Sequence, residues 1–266
     1  MILEILICSF NNDIFDIKLP EQQENVKYLI SWQYTDLKYL QRNPKIANRN
    51  DVRIIPLAGK GLSKNRNNAL RHANGDICLI SDSDVELYSK SFNKILSFFT
   101  ADPKLDIATF QFESKLIKKT YPKKVTNLKQ YIKKHYVTSF EIAFRKVSVQ
   151  NKIKFNELFG LGAPVLQSGE EEVFIFDALN AQLKGYFFPI SICRHDELST
   201  GEKATQSPGF LMSKGAYFYK RFKLMCIPRL IWQAAKNRKE IGFIHFFKWT
   251  LKGMLYIIKE TKLDKS

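Results

Sequence analysis

Cysteine is scarce in this sequence, and none of it is paired in a CxxC motif: the four thiols are Cys8, Cys78, Cys193 and Cys226. This pattern is typical of reduced core residues in a cytosolic protein. The first residues, MILEILICSFNND, lack a basic region and a small-residue cleavage site, so we interpret them as a first strand and not as a signal peptide. No apolar run reaches 18 residues, which predicts no membrane span.

Acidic residues are few relative to basic ones, with 26 Asp and Glu against 42 Lys and Arg and a net charge of +16. Such an excess predicts an anionic partner, and nucleic acid, a phosphorylated substrate and an acidic bilayer are the alternatives. Residues 213–266 hold 13 of the basic residues and only 3 acidic ones. Most of the excess positive charge therefore lies in the last fifth of the chain.

What the sequence does contain is an alternation of strand and helix patterns. Short apolar runs typical of buried strands recur at 2–8, 26–32, 51–57, 76–81 and 105–112. Helical patterns occupy 63–75 and 89–101. Strand and helix alternate, which predicts an α/β fold with a mostly parallel sheet. A length of 266 residues and a hydrophobic content of 45% suit one large domain with a helical extension.

The second half of the chain is less regular. Residues 139–146 alternate like an antiparallel strand, and 157–185 read as a Gly-rich loop that runs into a helix starting near Ser168 or Gly169. We see no internal repeat and no low-complexity linker. The sequence therefore predicts one catalytic-sized domain over 1–205 and a helical tail over 206–266.

The stretch SDSDVEL, residues 81–87, places two carboxylates one residue apart at the end of a predicted strand. Close like charges raise each other's pKa unless a cation lies between them. In parallel α/β sheets, ligands bind beyond the carboxyl ends of the strands. Ser9–Asn12, Gln33 and Asp82–Asp84 all follow such ends, so we expect them to converge on one crevice.

An acid-x-acid turn suits Mg²⁺ or Mn²⁺, and such ions are commonly completed by substrate phosphates. A metal-bound diphosphate is therefore one interpretation of Asp82 and Asp84, and a solvated turn after a strand is the other. Lys60, Lys64 and Arg66 lie near a predicted helix N-terminus, which attracts phosphate. The alternative for these three is a polar, solvated helix face.

The combination of motifs is more specific than each motif alone. GKGLSKNRNNALRHANGDICLISDSDVEL, residues 59–87, resembles the nucleotide-binding half of family-2 glycosyltransferases with a GT-A fold, a Rossmann-like central sheet flanked by helices. ICSFNN resembles the end of that family's first strand. GEEEVFIFDALNAQLKGYFF, 169–188, resembles its acidic pair at the head of a helix. The resemblance covers roughly residues 2–200, although ISWQYTD replaces the usual Asp-rich end of the second strand. The variant is similar to enzymes of bacterial polysaccharide assembly, such as capsule or O-antigen.

The resemblance implies a role for each matching residue. Asp84 ligates a divalent ion, Mn²⁺ or Mg²⁺, and Asp82 binds the ribose or assists the metal. The residues implied to bind the nucleotide sugar, with the base pocket formed by the first three, are Ser9, Asn11, Gln33, Lys60, Arg66, Asp82 and Ser83.

The acidic pair is implied to supply the general base, which is Glu171 or, failing that, Glu170. Acids in the first turn of a helix are also ordinary capping chemistry, which is the alternative. His195, after the last core strand, is implied to be a third metal ligand, although a lone histidine can equally be structural. The resemblance further implies a mobile loop at 199–201 and an acceptor-side wall at 159–164.

The C-terminal segment 242–262 has an amphipathic helical pattern. Its apolar positions are Phe243, Phe246, Phe247, Leu251, Met254, Leu255 and Ile258, with lysines elsewhere. We expect an in-plane helix on an anionic membrane surface, to which each basic residue contributes about 1 kcal/mol. The alternative is a helix that packs back on the protein with its lysines solvated.

Taken together, the patterns predict an inverting, metal-dependent glycosyltransferase. It moves a sugar from a nucleotide sugar, here a UDP-sugar, to a growing lipid-linked surface polysaccharide. We expect nucleotide-binding and acceptor halves at 1–112 and 113–205, and peripheral association with the cytoplasmic face of the membrane through 213–266. The alternatives are a nucleotidyltransferase, a nucleic-acid-binding protein, and a non-catalytic membrane-surface protein. Acids at the strand ends and an acidic first loop, SFNNDIFD, disfavour nucleic acid and nucleotidyl transfer.

Overall fold

The computed structural model describes residues 1–196 and 206–263. The chain forms two compact units. The first comprises Met1–Phe155 and Asp177–Glu197, and the second comprises Asn156–Phe176 and the chain from Leu198 onward. Residues 156–176, predicted within the catalytic domain, thus fold with the C-terminal helices. The division of 1–205 into a nucleotide half and an acceptor half stays a prediction.

The described strands of the first unit form one mixed sheet, in the order β3-β2-β1-β4-β8-β6-β9-β5, with β7 paired to β9. The strands are β1 (Leu3–Phe10), β2 (Val26–Tyr34), β3 (Val52–Ala58), β4 (Ile77–Asp82), β5 (Glu86–Leu87), β6 (Ile107–Glu113), β7 (Thr126–Asn127), β8 (Ile142–Arg145) and β9 (Gly185–Arg194). β1 to β4 run parallel, which confirms the alternation predicted for the first half.

The second half of the sheet is mixed. β8 runs antiparallel to both β4 and β6, so the predicted antiparallel strand is confirmed. β9 runs parallel to β6. Its last residues pair with β5, the short strand that follows the acid-x-acid turn in the chain. This pairing brings the C-terminal end of β9 beside the C-terminal end of β4.

Helices of the first unit flank the sheet: α1 (Leu62–His72), α2 (Phe92–Ala101), α3 (Leu128–Tyr131) and α4 (Lys146–Val149). α5 (Glu170–Asn180) runs across the division between the units. Single 3₁₀ turns occupy Asn11–Phe15, Leu37–Gln41, Lys45–Asn48, Ser89–Ser91, Ser139–Glu141 and Lys223–Met225. The core of the first unit comes from the predicted apolar runs, since β1, β2 and β4 are buried over nearly their whole length.

The second unit contains α6 (Pro208–Phe222), α7 (Cys226–Lys236) and α8 (Phe243–Leu263). α6 and α8 cross with their backbones in contact at two glycines. A Cβ on Gly253 would lie 1.9 Å from the Met212 carbonyl oxygen, and one on Gly215 would lie 1.8 Å from that of Thr250. A side chain at either position would force the helices apart, so glycine is required there.

This packing decides between the two interpretations of the tail helix. Phe246, Met254 and Ile257 of α8 are buried in clusters with α6 and α7. Most of the apolar face predicted to meet a bilayer is thus covered by protein, which favours the alternative of a packed helix with solvated lysines. No helix in the described ranges is long and apolar enough to cross a membrane.

Candidate functional site

Asp82, the last residue of β4, is held from two sides. Its Oδ1 accepts a hydrogen bond from the Arg66 guanidinium at 3.1 Å, and its Oδ2 accepts one from Ser139 Oγ at 2.9 Å. Arg66 is buried, with its side chain 2% exposed, whereas that of Asp82 is 26% exposed. A charge-assisted pair of this kind orients the carboxylate towards solvent. Arg66 was predicted to contact the nucleotide; in the structure its guanidinium binds Asp82, and contact with a nucleotide stays a prediction.

The polar helix α1 positions Arg66 through buried asparagines. The SKNRNNAL stretch was interpreted either as a phosphate site or as a solvated face, yet Asn65, Asn67 and Asn68 are all buried. Each ties α1 to another segment: Asn65 to the carbonyl of Ser9, Asn67 to the backbone of Phe155, and Asn68 to Ser31 Oγ. Buried polar groups stay stable only with such partners, so these amides lock the helix to the sheet.

Asp84 and His195 lie together, as the prediction of a shared metal site requires. His195 Nε2 is 3.2 Å from Asp84 Oδ2, and the imidazole stacks on Phe140 with ring centroids 5.2 Å apart. Burial raises the pKa of the Asp84 carboxyl, but the hydrogen bond with His195 and its charge outweigh burial, so the pKa lies below its ordinary value. Asp84 is therefore an anion at neutral pH.

Asp13, which the sequence patterns did not single out, adds a third carboxylate to this edge of the sheet. It lies in the 3₁₀ turn directly after β1. Burial and then the charge of Asp84 raise its pKa, so the two carboxylates repel each other. Such repulsion is relieved by a cation. The sequence signal that could have identified this residue is the aspartate of SFNND, which follows the first strand.

The donor set fits a divalent ion only in part. Asp84 and His195 present a carboxylate oxygen and an imidazole nitrogen, whereas both oxygens of Asp82 are engaged by other side chains. Across residues 1–196 and 206–263, no group of three or more His, Cys, Asp or Glu is arranged to hold a metal ion. The ligation of a metal by Asp84, Asp82 and His195 stays a prediction, in which the remaining positions are open to ligands such as phosphate oxygens.

The 3₁₀ turn Ser139–Glu141 was read from the sequence only as part of a strand, yet it supports the site. Ser139 bonds Asp82, and Phe140 stacks on His195. Glu141 is fully buried and accepts hydrogen bonds from Lys119, Tyr121 and Thr138. Burial and then Glu141 raise the pKa of the Tyr121 phenol far above its ordinary range. The contacts of this turn with Asp82, His195 and Lys119 join residues far apart in the chain, so no local sequence pattern indicated them.

Residues predicted for the base pocket lie at the ends of β1 and β2. Ser9 and Gln33 are buried, and Asn11 accepts hydrogen bonds from the Thr35 amide at 3.1 Å and hydroxyl at 3.3 Å. Ser9 Oγ, Gln33 Nε2 and Asn65 Oδ1 are buried without a hydrogen-bond partner in the described part of the chain. Unsatisfied buried polar atoms are costly, and groups of this kind commonly face a ligand.

Lys60 and Ser83 lie on exposed or half-exposed turns. Lys60 stands between Gly59 and Gly61, whose φ angles of 103° and 123° require glycine. Gly61 is the N-cap residue of α1 and, lacking a side chain, makes no side-chain capping hydrogen bond. Ser83 lies half-buried between the two aspartates.

Glu170 and Glu171 head α5 in the second unit, after Gly169 with a φ of 81°. Their neighbour Glu172 faces α6, where it interacts with Lys214. Burial lowers the pKa of the Lys214 ammonium, and the negative charge of Glu172 opposes that shift only in part. Glu170 is 4% exposed, and Glu171 is half-buried. The three glutamates thus have different surroundings, as helical geometry requires.

Two predicted loops remain. Residues 199–201, predicted as a mobile loop, lie outside the described residues. The predicted acceptor wall, 159–164, is a tight glycine turn of the second unit, with Phe159 bridged to Leu166 and positive φ at Gly160 and Gly162.

Residues 37–154 match the family model described as glycosyl transferase family 2. This stretch, and not the chain as a whole, carries the match to the family. The match spans α1, the acid-x-acid turn and the Ser139–Glu141 turn. It confirms the family resemblance and the predicted enzyme class. No curated protein sequence matches the chain.

Solved structures of S. aureus TarS share the fold. TarS 1–349 superimposes with a TM-score of 0.57 at 13% identity, covering 94% of this chain and 90% of that chain. TarS 1–349 with UDP-GlcNAc gives 0.58 at 14% identity, covering 90% and 73%. TarS 1–349 with UDP gives 0.56 at 16% identity, covering 90% and 72%. These likenesses confirm the predicted GT-A fold.

Proposed function

We propose that this protein is an inverting, metal-dependent glycosyltransferase that moves a sugar from a UDP-sugar to a growing lipid-linked surface polysaccharide. One observation carries the proposal: Asp84 meets His195 while Asp82 is held by Arg66 and Ser139, at one edge of the sheet. Carboxylates presented in this way suit a nucleotide diphosphate bound through a cation.

Asp84 and His195 would hold the metal, and Asp82, which Arg66 and Ser139 orient, would bind the ribose or assist the metal. A mixed oxygen and nitrogen donor pair favours a transition ion such as Mn²⁺ over Mg²⁺. When bound, the ion neutralises charge that develops on the leaving diphosphate. Lys60 and the uncapped start of α1 add positive potential for the same phosphates.

The nucleotide base lies against Ser9, Asn11 and Gln33. The unpartnered Gln33 Nε2 is a donor and the unpartnered Asn65 Oδ1 is an acceptor, and a uracil edge offers both complements. The GT-A relatives of similar fold bind UDP and UDP-GlcNAc, which supports uridine as the nucleoside. Ser83 is half-buried between the aspartates, within reach of a nucleotide held there.

Glu171 is the general base. The acceptor hydroxyl oxygen attacks the anomeric carbon, its proton passes to the Glu171 carboxylate, and the bond from that carbon to the UDP oxygen breaks, which inverts the configuration. Its place in the first turn of α5 stabilises the ionised form. The Glu172 carboxylate interacts with Lys214 of α6, and Glu170 remains the second candidate for the base.

We assign membrane contact to the exposed side chains of the Lys223–Met225 turn and α7, and not to α8. Large apolar side chains are exposed there: Leu224 (65%), Met225 (65%), Ile231 (45%) and Trp232 (60%). Exposed basic residues flank them, namely Lys223, Arg229 and Lys236. Apolar side chains rimmed by bases suit the surface of an anionic bilayer, where a lipid-linked acceptor resides. We place the protein at the inner face of the cell membrane.

The deciding experiment for the donor site is a calorimetric titration of UDP with and without Mn²⁺. We expect Mn²⁺ to strengthen UDP binding in the wild type, and the Asp84→Asn variant to lose that dependence. Glu86→Gln, which removes an exposed charge two residues away, is the matched control and should behave as wild type. Equal metal dependence in Asp84→Asn would exclude the assignment of the metal to this pair.

The general base is tested by transfer from a panel of UDP-sugars to lipid-linked glycan. Glu171→Gln should keep UDP binding and lose about 10²- to 10⁴-fold in rate. Glu172→Gln should keep both, because its carboxylate faces α6. An active Glu171→Gln would move the base to Glu170.

The membrane face is tested by co-sedimentation with phosphatidylglycerol vesicles. Trp232→Ser together with Met225→Ser should reduce binding, whereas Leu255→Ser, an exposed apolar change on α8, should not. The opposite order would return membrane contact to α8. UDP affinity should be the same in all variants.

A further inference from the structure

A second basic surface lies in the first unit. Residues 114–136, which we name the lysine segment, contain eight lysines and neither Asp nor Glu. Together with the tail it accounts for more than the whole net charge, so the rest of the chain is close to neutral. A positive surface of this density demands an anionic partner.

Seven of these lysines are exposed: Lys115, Lys118, Lys123, Lys124, Lys129, Lys133 and Lys134. None of the seven forms an ion pair within residues 1–196 and 206–263. The eighth, Lys119, is buried against Glu141. Seven unneutralised cations within a short stretch repel one another, and an anionic ligand relieves that repulsion.

The lysine segment is firmly attached to the sheet. β7 pairs with β9, and Tyr131 of α3 is buried and stacks on Phe187 with centroids 4.7 Å apart. Tyr121 stacks on the same ring at 5.8 Å and bonds Glu141. The exposed lysines are thus presented by an ordered scaffold, which lowers the entropy lost when a ligand binds.

Both ends of the segment lie close to residues of the candidate site. At its start, the Lys115 amide donates to Asp196 Oδ1 at 2.8 Å, one residue after His195. At its end, the chain enters the turn in which Ser139 bonds Asp82 and Phe140 stacks on His195. A ligand on the lysines therefore extends from beside the donor site. This position favours the second substrate of the reaction over an unrelated partner.

We infer that the lysine segment binds the acceptor, and that this acceptor is an anionic glycan whose repeating unit carries phosphate or carboxylate groups. The inference rests on the proposed function, because it names the class of acceptor for the same site. A polymer presents charges at regular intervals, so several weak contacts act together along the seven lysines. Each exposed pair is worth little alone and is screened by salt.

The test is fluorescence anisotropy with labelled hyaluronan (carboxylate), polyphosphate (phosphate) and dextran (neutral) at about 0.1 M salt. Both anionic polymers should bind, more weakly as salt rises, and dextran should not. The variant Lys123→Gln, Lys124→Gln, Lys129→Gln and Lys133→Gln should weaken binding about tenfold or more, since four modest ion pairs are removed.

A matched control removes the same charge from the second unit, through Lys239→Gln, Lys248→Gln, Lys252→Gln and Lys259→Gln, all exposed. It should change polymer affinity less than about twofold, because these charges lie outside the lysine segment and are screened by salt. An equal loss in both quadruple variants would mean that only net charge matters and would overturn the inference.

Three further outcomes would also overturn it: no binding of either anionic polymer, tighter binding of single-stranded RNA than of hyaluronan, or loss of anionic-vesicle binding in the lysine-segment variant alone. UDP titration of the same samples separates the two proposals. If UDP binds and the polymers do not, only the acceptor inference fails. If UDP does not bind, the proposed function fails first.

Discussion

The buried pair Lys119–Glu141 allows a quantitative prediction. Both side chains are nearly inaccessible, at 3% and 1% exposed, and the Glu141 carboxylate also accepts hydrogen bonds from Tyr121 and Thr138. Glu141→Gln removes the negative charge and turns an amide group towards donors, which leaves the Lys119 ammonium buried and uncompensated. Breaking a buried pair on one side costs about 3–5 kcal/mol of unfolding free energy.

Urea denaturation monitored by tryptophan fluorescence measures this cost. The matched control is Lys184→Met, because Lys184 pairs with Asp102 at 2.7 Å but both side chains are more than one-third exposed. Solvent screens a pair as exposed as this one, so the control should lose little. Each variant breaks one lysine–carboxylate pair, one buried and one exposed, so the difference between the two losses reports the effect of burial.

The double variant Lys119→Met with Glu141→Gln removes both charges and should recover part of the loss, because no uncompensated ion remains. A loss below about 1 kcal/mol in Glu141→Gln would refute the reasoning, since it would equal the loss expected of an exposed pair. UDP affinity is the second readout. It should fall in Glu141→Gln and stay unchanged in Lys184→Met, because Glu141 anchors the turn that touches Asp82 and His195.

Three more predictions follow from single contacts. Ser139→Ala removes one hydrogen bond to Asp82, and UDP affinity should fall about two- to tenfold, the worth of one such bond. Gly253→Ala places a methyl group against the α6 backbone and should lower the melting temperature of the protein markedly. The hydrogen bond from Arg49 lowers the pKa of Asp51, so its stabilisation is present above the ordinary carboxyl pKa and is lost as the pH falls through the lowered one. Asp51→Asn should therefore flatten the stability profile of the protein in acid.

Each of these has a contrary result. A Ser139→Ala protein with wild-type UDP affinity would mean that Arg66 alone orients Asp82. A Gly253→Ala melting temperature equal to that of Lys252→Ala, an exposed change on the same helix, would contradict the close helix crossing. If the stability of Asp51→Asn fell with pH as that of the wild type does, the Arg49–Asp51 pair would not contribute to the loss of stability in acid.

The first half of the fold was predictable because its signals are local. Each buried parallel strand is an apolar run of the chain itself, and a parallel arrangement places all their carboxyl ends at one edge. Asp82 and Asp84 therefore reach the same edge as Ser9 and Gln33 without any knowledge of packing. His195 was found in the same way, because it follows the last strand.

The supports of the site were not predictable, because they depend on pairs far apart in the chain. Ser139 reaches Asp82 across 57 positions, and Lys119 reaches Glu141 across 22. Asn67 meets Phe155 across 88. Nothing in a local pattern distinguishes such a buried polar residue from a solvated one, since composition does not encode the partner.

The sequence by itself determined the alternation of strands and helices, the family resemblance and the position of the acidic turn, since strand burial and turn chemistry act over neighbouring residues. Only the tertiary structure decided that Arg66 binds Asp82, that the charges of Asp13 and Asp84 interact, and which apolar face of the tail is covered. α8 has the same amphipathic pattern whether it meets lipid or another helix, because both are apolar surroundings. The choice lay in Gly215 and Gly253, whose missing side chains let two backbones meet and bury that face in protein.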